Sequence, residues 1–474
     1  MDQPISQLMI IINSAISNLT KFCDENNVEL PNLNSPSFTQ DSEAFRTNDS
    51  AAEFAKLAAA ACLHLATILV PPTDVVYQLV VGSHHSAAVK VCLEANVTEI
   101  LRDAGSEGMH VNNLATKCGI DASKLARILR YLATHHCYRE VEPDVFANNR
   151  VSSTLDTGKS IENLTADPST KYESSAFPAL CNLHLDIDAK CNVAARAEAL
   201  KDAEYTQSGD ELTKTVFGQA MNTSLSFWEF LALPEQQQRQ RNFTRALQGF
   251  TAMQPADLIF KVLDWPSISP AAKVVDVGGG IGTTTTPLIK KYSGYTVVIQ
   301  DLPHIVEEGK KLYMTEMYEE ITRGKLQFQG YNFLNQQPIK DADVFVMKGI
   351  LHNWPDSYNG IILRNLREAA MSSTKLIIID YVIPYACQFS HETEDSFEED
   401  VNVDAAPEPL LPNYGPLNDQ VYTLDMDMMY YFNAQEHTIL QFQQLLAGAG
   451  WRLTKCRAIN TNISLLHYLV ALPV

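Results

Sequence analysis

Apolar positions along the chain fall into two regimes. In the first half they recur at helical spacing: Ile5, Leu8, Ile11, Ile12, Ile16, Leu19 and Phe22 mark one amphipathic helix over 5–26. A Ser-, Asn- and Pro-rich stretch, 31–50, reads as a mobile linker. A second helix, 51–70, is stopped by Pro71 and Pro72. With Glu53, Lys56 and His64 inside it, it reads as too polar for a membrane span and as a buried or dimer-forming helix. From Val75 to about Leu155 the order is helix, turn, helix and a β-hairpin wing, and 156–270 is again mostly helical.

After Lys273 the period changes. Strands at 273–277, 295–300, 325–329, 342–347 and 375–381 alternate with helices, and a hairpin of 451–459 and 463–470 closes the chain. The fold class this implies is α/β, a doubly wound and mostly parallel sheet whose ligands bind at the carboxyl ends of its strands. The expected division is 1–70 for the first helices and linker, 71–155 for a winged-helix-like domain, 156–270 for a helical connecting region and 271–474 for the α/β domain.

Charge narrows the functions. The formal net charge of −20 argues against general nucleic-acid binding and against an anionic membrane surface. A helix-turn-helix with a wing would ordinarily read DNA, and Lys124, Arg127 and Arg130 are basic, but Leu125, Ile128, Leu129 and Leu132 take the other face. The adjacent pairs His84/His85 and His135/His136 are poor metal ligands as neighbours, because side chains next to one another diverge; they read as helix-end or packing residues. Nine cysteines without a C-x-x-C pair, and no basic region before the first apolar run, point to the reducing cytoplasm. Residues 386–420 hold nine acids and no Lys or Arg, and read as an exposed, partly disordered insertion.

The most informative stretch is KVVDVGGGIGTTTTPLIKKYSGYTVVIQD, 273–301. A buried strand runs into Gly278, Gly279, Gly280 and Gly282, then a helix, then a strand ending on Asp301. Glycines at such a turn let backbone approach a ligand closely, and an acid ending the second strand is placed to accept from ribose hydroxyls. The dinucleotide fingerprint fails, since its sixth position is Thr283, and no Gly-Lys-Ser/Thr phosphate loop is present. Asp276, two residues before G-x-G-x-G, together with Asp301 makes the segment resemble the S-adenosylmethionine loop of class I methyltransferases, although a plain glycine-rich turn would show the same glycines.

A second stretch, DADVFVMKGILHNWPDSYNGIILRNLREAA (341–370), puts His352 four residues past a strand ending at Lys348, on the sheet edge that carries the glycine loop. Here the chain resembles plant and fungal O-methyltransferases of the caffeate/polyketide type, with fungal sterigmatocystin 8-O-methyltransferase-like enzymes nearest, from about residue 50 to the end. The motifs are MKGILHNW, Asp301-Leu302-Pro303-His304 and Ala434-Gln435-Glu436-His437-Thr438. The resemblance implies His352 as general base flanked by Asp380 and Glu436. It implies cofactor contacts from Asp276, Gly278, Gly280, Asp301, Leu302, Asn332, Phe333 and Lys348, and substrate contacts from Met428, Phe432 and Trp228. It also implies S-adenosylmethionine as cofactor, no metal, a small phenolic or polyketide substrate, and a homodimer formed through the N-terminal half, where the winged helix serves dimerisation. Asn353, Asn332 and His437 depart from the family's residues, which leaves open a cofactor-binding but inactive regulatory or scaffold protein.

Overall fold

The computed structural model describes residues 4–191, 193–207, 209–252, 254–388, 401, 405–459 and 466–474. By contacts the chain divides into two units, Met1–Asn192 with Trp228–Met253, and Val193–Phe227 with Gln254–Val474.

In the first unit, helix Pro4–Asn26 packs on helix Asp49–Leu69. The expected linker between them is ordered. Its 3-10 helix Gln40–Thr47 is capped by Thr39 and buries Phe45 among Leu19, Cys23 and Ala51, while Glu43 pairs with Arg150. One aromatic side chain with a site to fill outweighs a polar, Pro-rich context. Helix Asp49–Leu69 departs from expectation too: by length and composition it is apolar enough to cross a membrane, with mean hydropathy 1.5, and only 17% of that window is buried. Its alanine face is covered, whereas Leu69, and Val76, Tyr77, Leu79 and Val80 of helix Pro72–Val80, are well exposed. The sequence pattern shows that a residue is apolar; it does not show whether its own chain covers it.

Helices Val111–Cys118 and Ala122–Thr134 are followed by a hairpin, giving a three-stranded sheet in which β3 (Val145–Ala147) lies between β1 (Met109–His110) and β2 (Arg139–Glu142). The order of two helices and a hairpin follows the pattern of the sequence. Arg130 is not available to a phosphate backbone: its guanidinium donates to Glu140 at 2.7 and 3.0 Å and to Asp144 at 2.8 Å.

The second unit is built on a seven-stranded sheet in the order β6-β5-β4-β7-β8-β10-β9. The five parallel strands are β4 (Lys273–Val277), β5 (Thr296–Asp301), β6 (Leu326–Gly330), β7 (Val344–Lys348) and β8 (Lys375–Tyr381). The hairpin β9 (Trp451–Ala458) and β10 (Leu466–Pro473) adds antiparallel to β8. Both faces are covered: Val275, Phe345, Met347 and Ile378 face one core, and Val274, Val346, Ile377 and Ile379 the other. This is why the strands read as unbroken apolar runs. β4 pairs with β5 on one side and β7 on the other, so the strand order reverses there and a crevice opens at their carboxyl ends.

The acidic stretch 386–420 lies partly outside the described residues, at 389–400 and 402–404. From 405 onward the stretch is folded. Leu410 and Tyr414 are buried, Asn413 donates to Tyr422 Oη at 2.8 Å, and the 3-10 turn Gly415–Asn418 leads into helix Asp419–Phe432.

Phe345 is fully buried at the middle of β7. Phe345→Ala should lower unfolding free energy by about 3–5 kcal/mol in a denaturant titration; a loss under about 1 kcal/mol would contradict this packing.

Candidate active site

Three loops leave the carboxyl ends of β4, β7 and β8 at one edge of the sheet. The first is the glycine turn. Gly278 has φ +69° and its N–H donates to the Gln300 carbonyl at 2.8 Å. A Cβ there would meet Ile350 Cδ1 at 2.5 Å, so the β4 and β7 loops touch at this point. Gly280, with φ +59°, has nothing within 4 Å of where a Cβ would stand, which leaves an open cradle lined by backbone. Its N–H donates to Asp301 Oδ2 at 2.8 Å, and Leu302 N–H donates to Oδ1 at 2.7 Å. Asp301 is thus oriented by two backbone donors, and each oxygen keeps a lone pair for a ligand hydroxyl.

Below the loop, Asp276 is buried and accepts from Thr285 Oγ1 at 2.6 Å. Burial pushes its carboxyl up to about 6, against the opposing effects of Thr285 and Lys348. Lys348, ending β7, is held below its ordinary pKa by burial, partly offset by Asp276 and Asp380. Phe333 is half-buried, 3.6 Å from the Cβ position of Gly278, and packs edge-on against Trp354. Asn332 is exposed and its Oδ1 accepts from Leu334 N–H at 3.0 Å, so one of the lone pairs expected to meet an adenine is already used locally.

His352 sits in a single 3-10 turn, Leu351–Asn353, immediately past β7. Its Nδ1 lies 2.6 Å from Glu436 Oε1 and 3.7 Å from Asp380 Oδ1. With Glu436 ionised, Nδ1 donates to it, and Nε2, beside Gly349, is the nitrogen left to exchange a proton. Asp380 Oδ2 and Glu436 Oε2 are buried and make no hydrogen bond among the described residues. Burial alone would lower the imidazole's pKa; Glu436, Asp380 and the Gly349 carbonyl outweigh it and raise it to about 9. Glu436 is driven up by burial and held back by His352.

The structure brings His352, Asp380 and Glu436 together, their ligand-type atoms within 4.8 Å of one another, and gathers Asp276, Gly278, Gly280, Asp301, Phe333 and Lys348 at the same edge. One imidazole and two carboxylates are also the ligand types of a divalent-cation site. The expected substrate residues belong to both units. Met428 and Phe432 lie buried on helix Asp419–Phe432, and the Phe432 ring packs 5.1 Å from Phe227 and 5.9 Å from Tyr431, as core. Trp228 belongs to the other unit, where it packs edge-on on Phe243 at 5.7 Å. Sequence reading missed Thr285, Tyr381 beside the two acids, and Asp425, whose Oδ1 accepts from Glu436 N–H at 2.8 Å. It also missed Asp356, although the HNWPD run ends on that residue.

Comparison with known proteins agrees with this architecture. Residues 198–452 match the model of an O-methyltransferase domain, and 77–158 that of an O-methyltransferase dimerisation domain. The chain is 41% identical to 4-O-methyltransferase 1 of Phanerochaete chrysosporium, over 96% of this chain and 95% of that protein. It is 33% identical to an O-methyltransferase of Armillaria gallica across the full length of both. Among solved structures it is similar to mitomycin 7-O-methyltransferase, with TM-score 0.60, 20% identity and coverage of 85% and 98%. It is equally similar to a pericyclic reaction enzyme, with TM-score 0.61, 20% identity and coverage of 90% and 95%.

Gly278→Ala would add a methyl group in the left-handed region and against Ile350. Calorimetric titration should show clearly weaker binding of the expected adenosyl ligand, with about 1–2 kcal/mol of lost stability from the backbone alone. Unchanged affinity would mean that the loop does not form the ligand cradle.

Proposed function

The chain belongs to the O-methyltransferase family, and we propose that it moves the methyl group of S-adenosylmethionine to a phenolic hydroxyl of an aromatic or polyketide secondary metabolite, with His352 as general base. The observation that carries this reading is the 2.6 Å contact of His352 with buried Glu436, on the sheet edge that holds the glycine turn. The donor fits the residues present: the open space over Gly280 admits a ligand against backbone, and Asp301 offers acceptors for ribose hydroxyls.

When bound, the sulfonium supplies an activated methyl group, so the protein's work is orientation and proton removal. A phenol has a reference pKa of about 10, and an ordinary imidazole at about 6.5 would take its proton uphill by roughly 5 kcal/mol. Raised to about 9, His352 is a closer match, and the gap falls to about one unit, or ~1.4 kcal/mol. The same shift leaves the free imidazole mostly protonated at neutral pH, and only its neutral form acts as base. Glu436 and Asp380 orient the ring and stabilise the imidazolium formed as the phenol gives up its proton, the role an acid plays in a hydrolase triad. The chemistry requires no metal ion. The protein works as a homodimer, for which the match to a dimerisation domain and the exposed apolar row of Val76, Tyr77, Leu79 and Val80 are the support.

His352→Ala should lower kcat by about 10²–10⁴-fold with donor affinity retained; turnover within about tenfold of the parent would remove the base. kcat/KM should climb with pH through a value above 6.5, and Glu436→Gln should move that rise to lower pH, because it removes the carboxylate that raises the imidazole. Dialysis against a chelator should change nothing. Loss of activity restored by a divalent ion would instead make the three side chains metal ligands.

A further inference from the structure

Asp356 is the first residue of helix Asp356–Ala369, four positions beyond His352. Its two carboxylate oxygens take donors from two different residues: His437 Nε2 reaches Oδ1 at 2.8 Å, and Gln435 Nε2 reaches Oδ2 at 3.2 Å. Those residues flank Glu436, so one carboxylate grips the chain on both sides of the partner of His352. The grip is reinforced. Gln441 Nε2 donates to Gln435 Oε1 at 3.0 Å, Ile383 N–H donates to the His437 carbonyl at 3.0 Å, and the buried His437 ring lies 4.9 Å from Phe442. Its Nδ1 makes no hydrogen bond among the described residues, where Asp356 bears the polar contact of that ring.

We propose that Asp356 is a positioning residue: by clamping residues 435 and 437 it holds Glu436 against His352 Nδ1 and keeps the imidazole aimed and basic. This rests on His352 being the base. An acid in the first helical turn would also suit the helix dipole, a purely structural role, and the test separates the two. In the full-length enzyme, Asp356→Ala should lower kcat by up to about 10²-fold, as a small misplacement of a reacting group does, with KM little changed. The rise of kcat/KM with pH should shift down, and Glu436→Gln should add little on top. Asp356→Asn keeps an acceptor for His437 but turns a second donor towards Gln435 Nε2, so it preserves one half of the clamp and should recover only part of kcat. It also carries the test if the alanine variant does not fold. A lower melting temperature with kcat and pH profile unchanged in either variant overturns the clamp. An active His352→Ala enzyme would overturn the base itself, whatever Asp356 does.

Discussion

The contact between His352 Nδ1 and Glu436 Oε1 joins residues 84 apart in sequence, and the second unit is arranged to make it. Bringing a carboxylate with no exposed side chain against a nearly buried imidazole is unfavourable unless each answers the other. The sheet supplies the means. β7 ends at Lys348 and throws His352 past its carboxyl end; β8 ends beside it and contributes Asp380. The segment after helix Asp419–Phe432 is tied to the end of β8 through Val382 and Ile383, and so presents Glu436 from the far side. Two unpartnered carboxylate oxygens remain, which gives the site a negative bias that favours a positive charge on the ring.

The likeness to solved structures stops at architecture. Similar TM-scores link the chain to a methyltransferase and to a pericyclic reaction enzyme, so this fold does not fix a reaction. The family match, spanning 198–452, and the relative with 41% identity over nearly the whole length carry the chemistry that the fold leaves open.

What could be read from the sequence followed from periodicity and from glycine. Parallel strands buried on both faces leave long apolar runs, and β4 through β8 fall within about two residues of where those runs put them. The glycine turn and the His352 motif were legible because a close backbone approach and a residue just past a strand end each leave a local mark. The clamp of Asp356 on Gln435 and His437 leaves none, since it joins ordinary polar residues about eighty positions apart. The sequence offers Phe432 and Trp228 as substrate contacts, yet an aromatic at helical spacing shows only that a face is apolar; in the structure Phe432 packs among rings and Trp228 against Phe243. Phe45 is the converse, a single buried ring ordering a stretch whose composition suggests a loose linker.

The 2.5 Å separation between the would-be Cβ of Gly278 and Ile350 Cδ1 ties two motifs that look independent along the chain. Position 278 cannot drift alone. A lineage that exchanged Gly278 for a larger residue would first have to move or trim the side chain at 350, and would still meet the positive φ at 278. The permitted order of substitutions is therefore one-way, and the pair should evolve as a coupled unit, with the history of the β7 loop written into what the β4 loop is allowed to become.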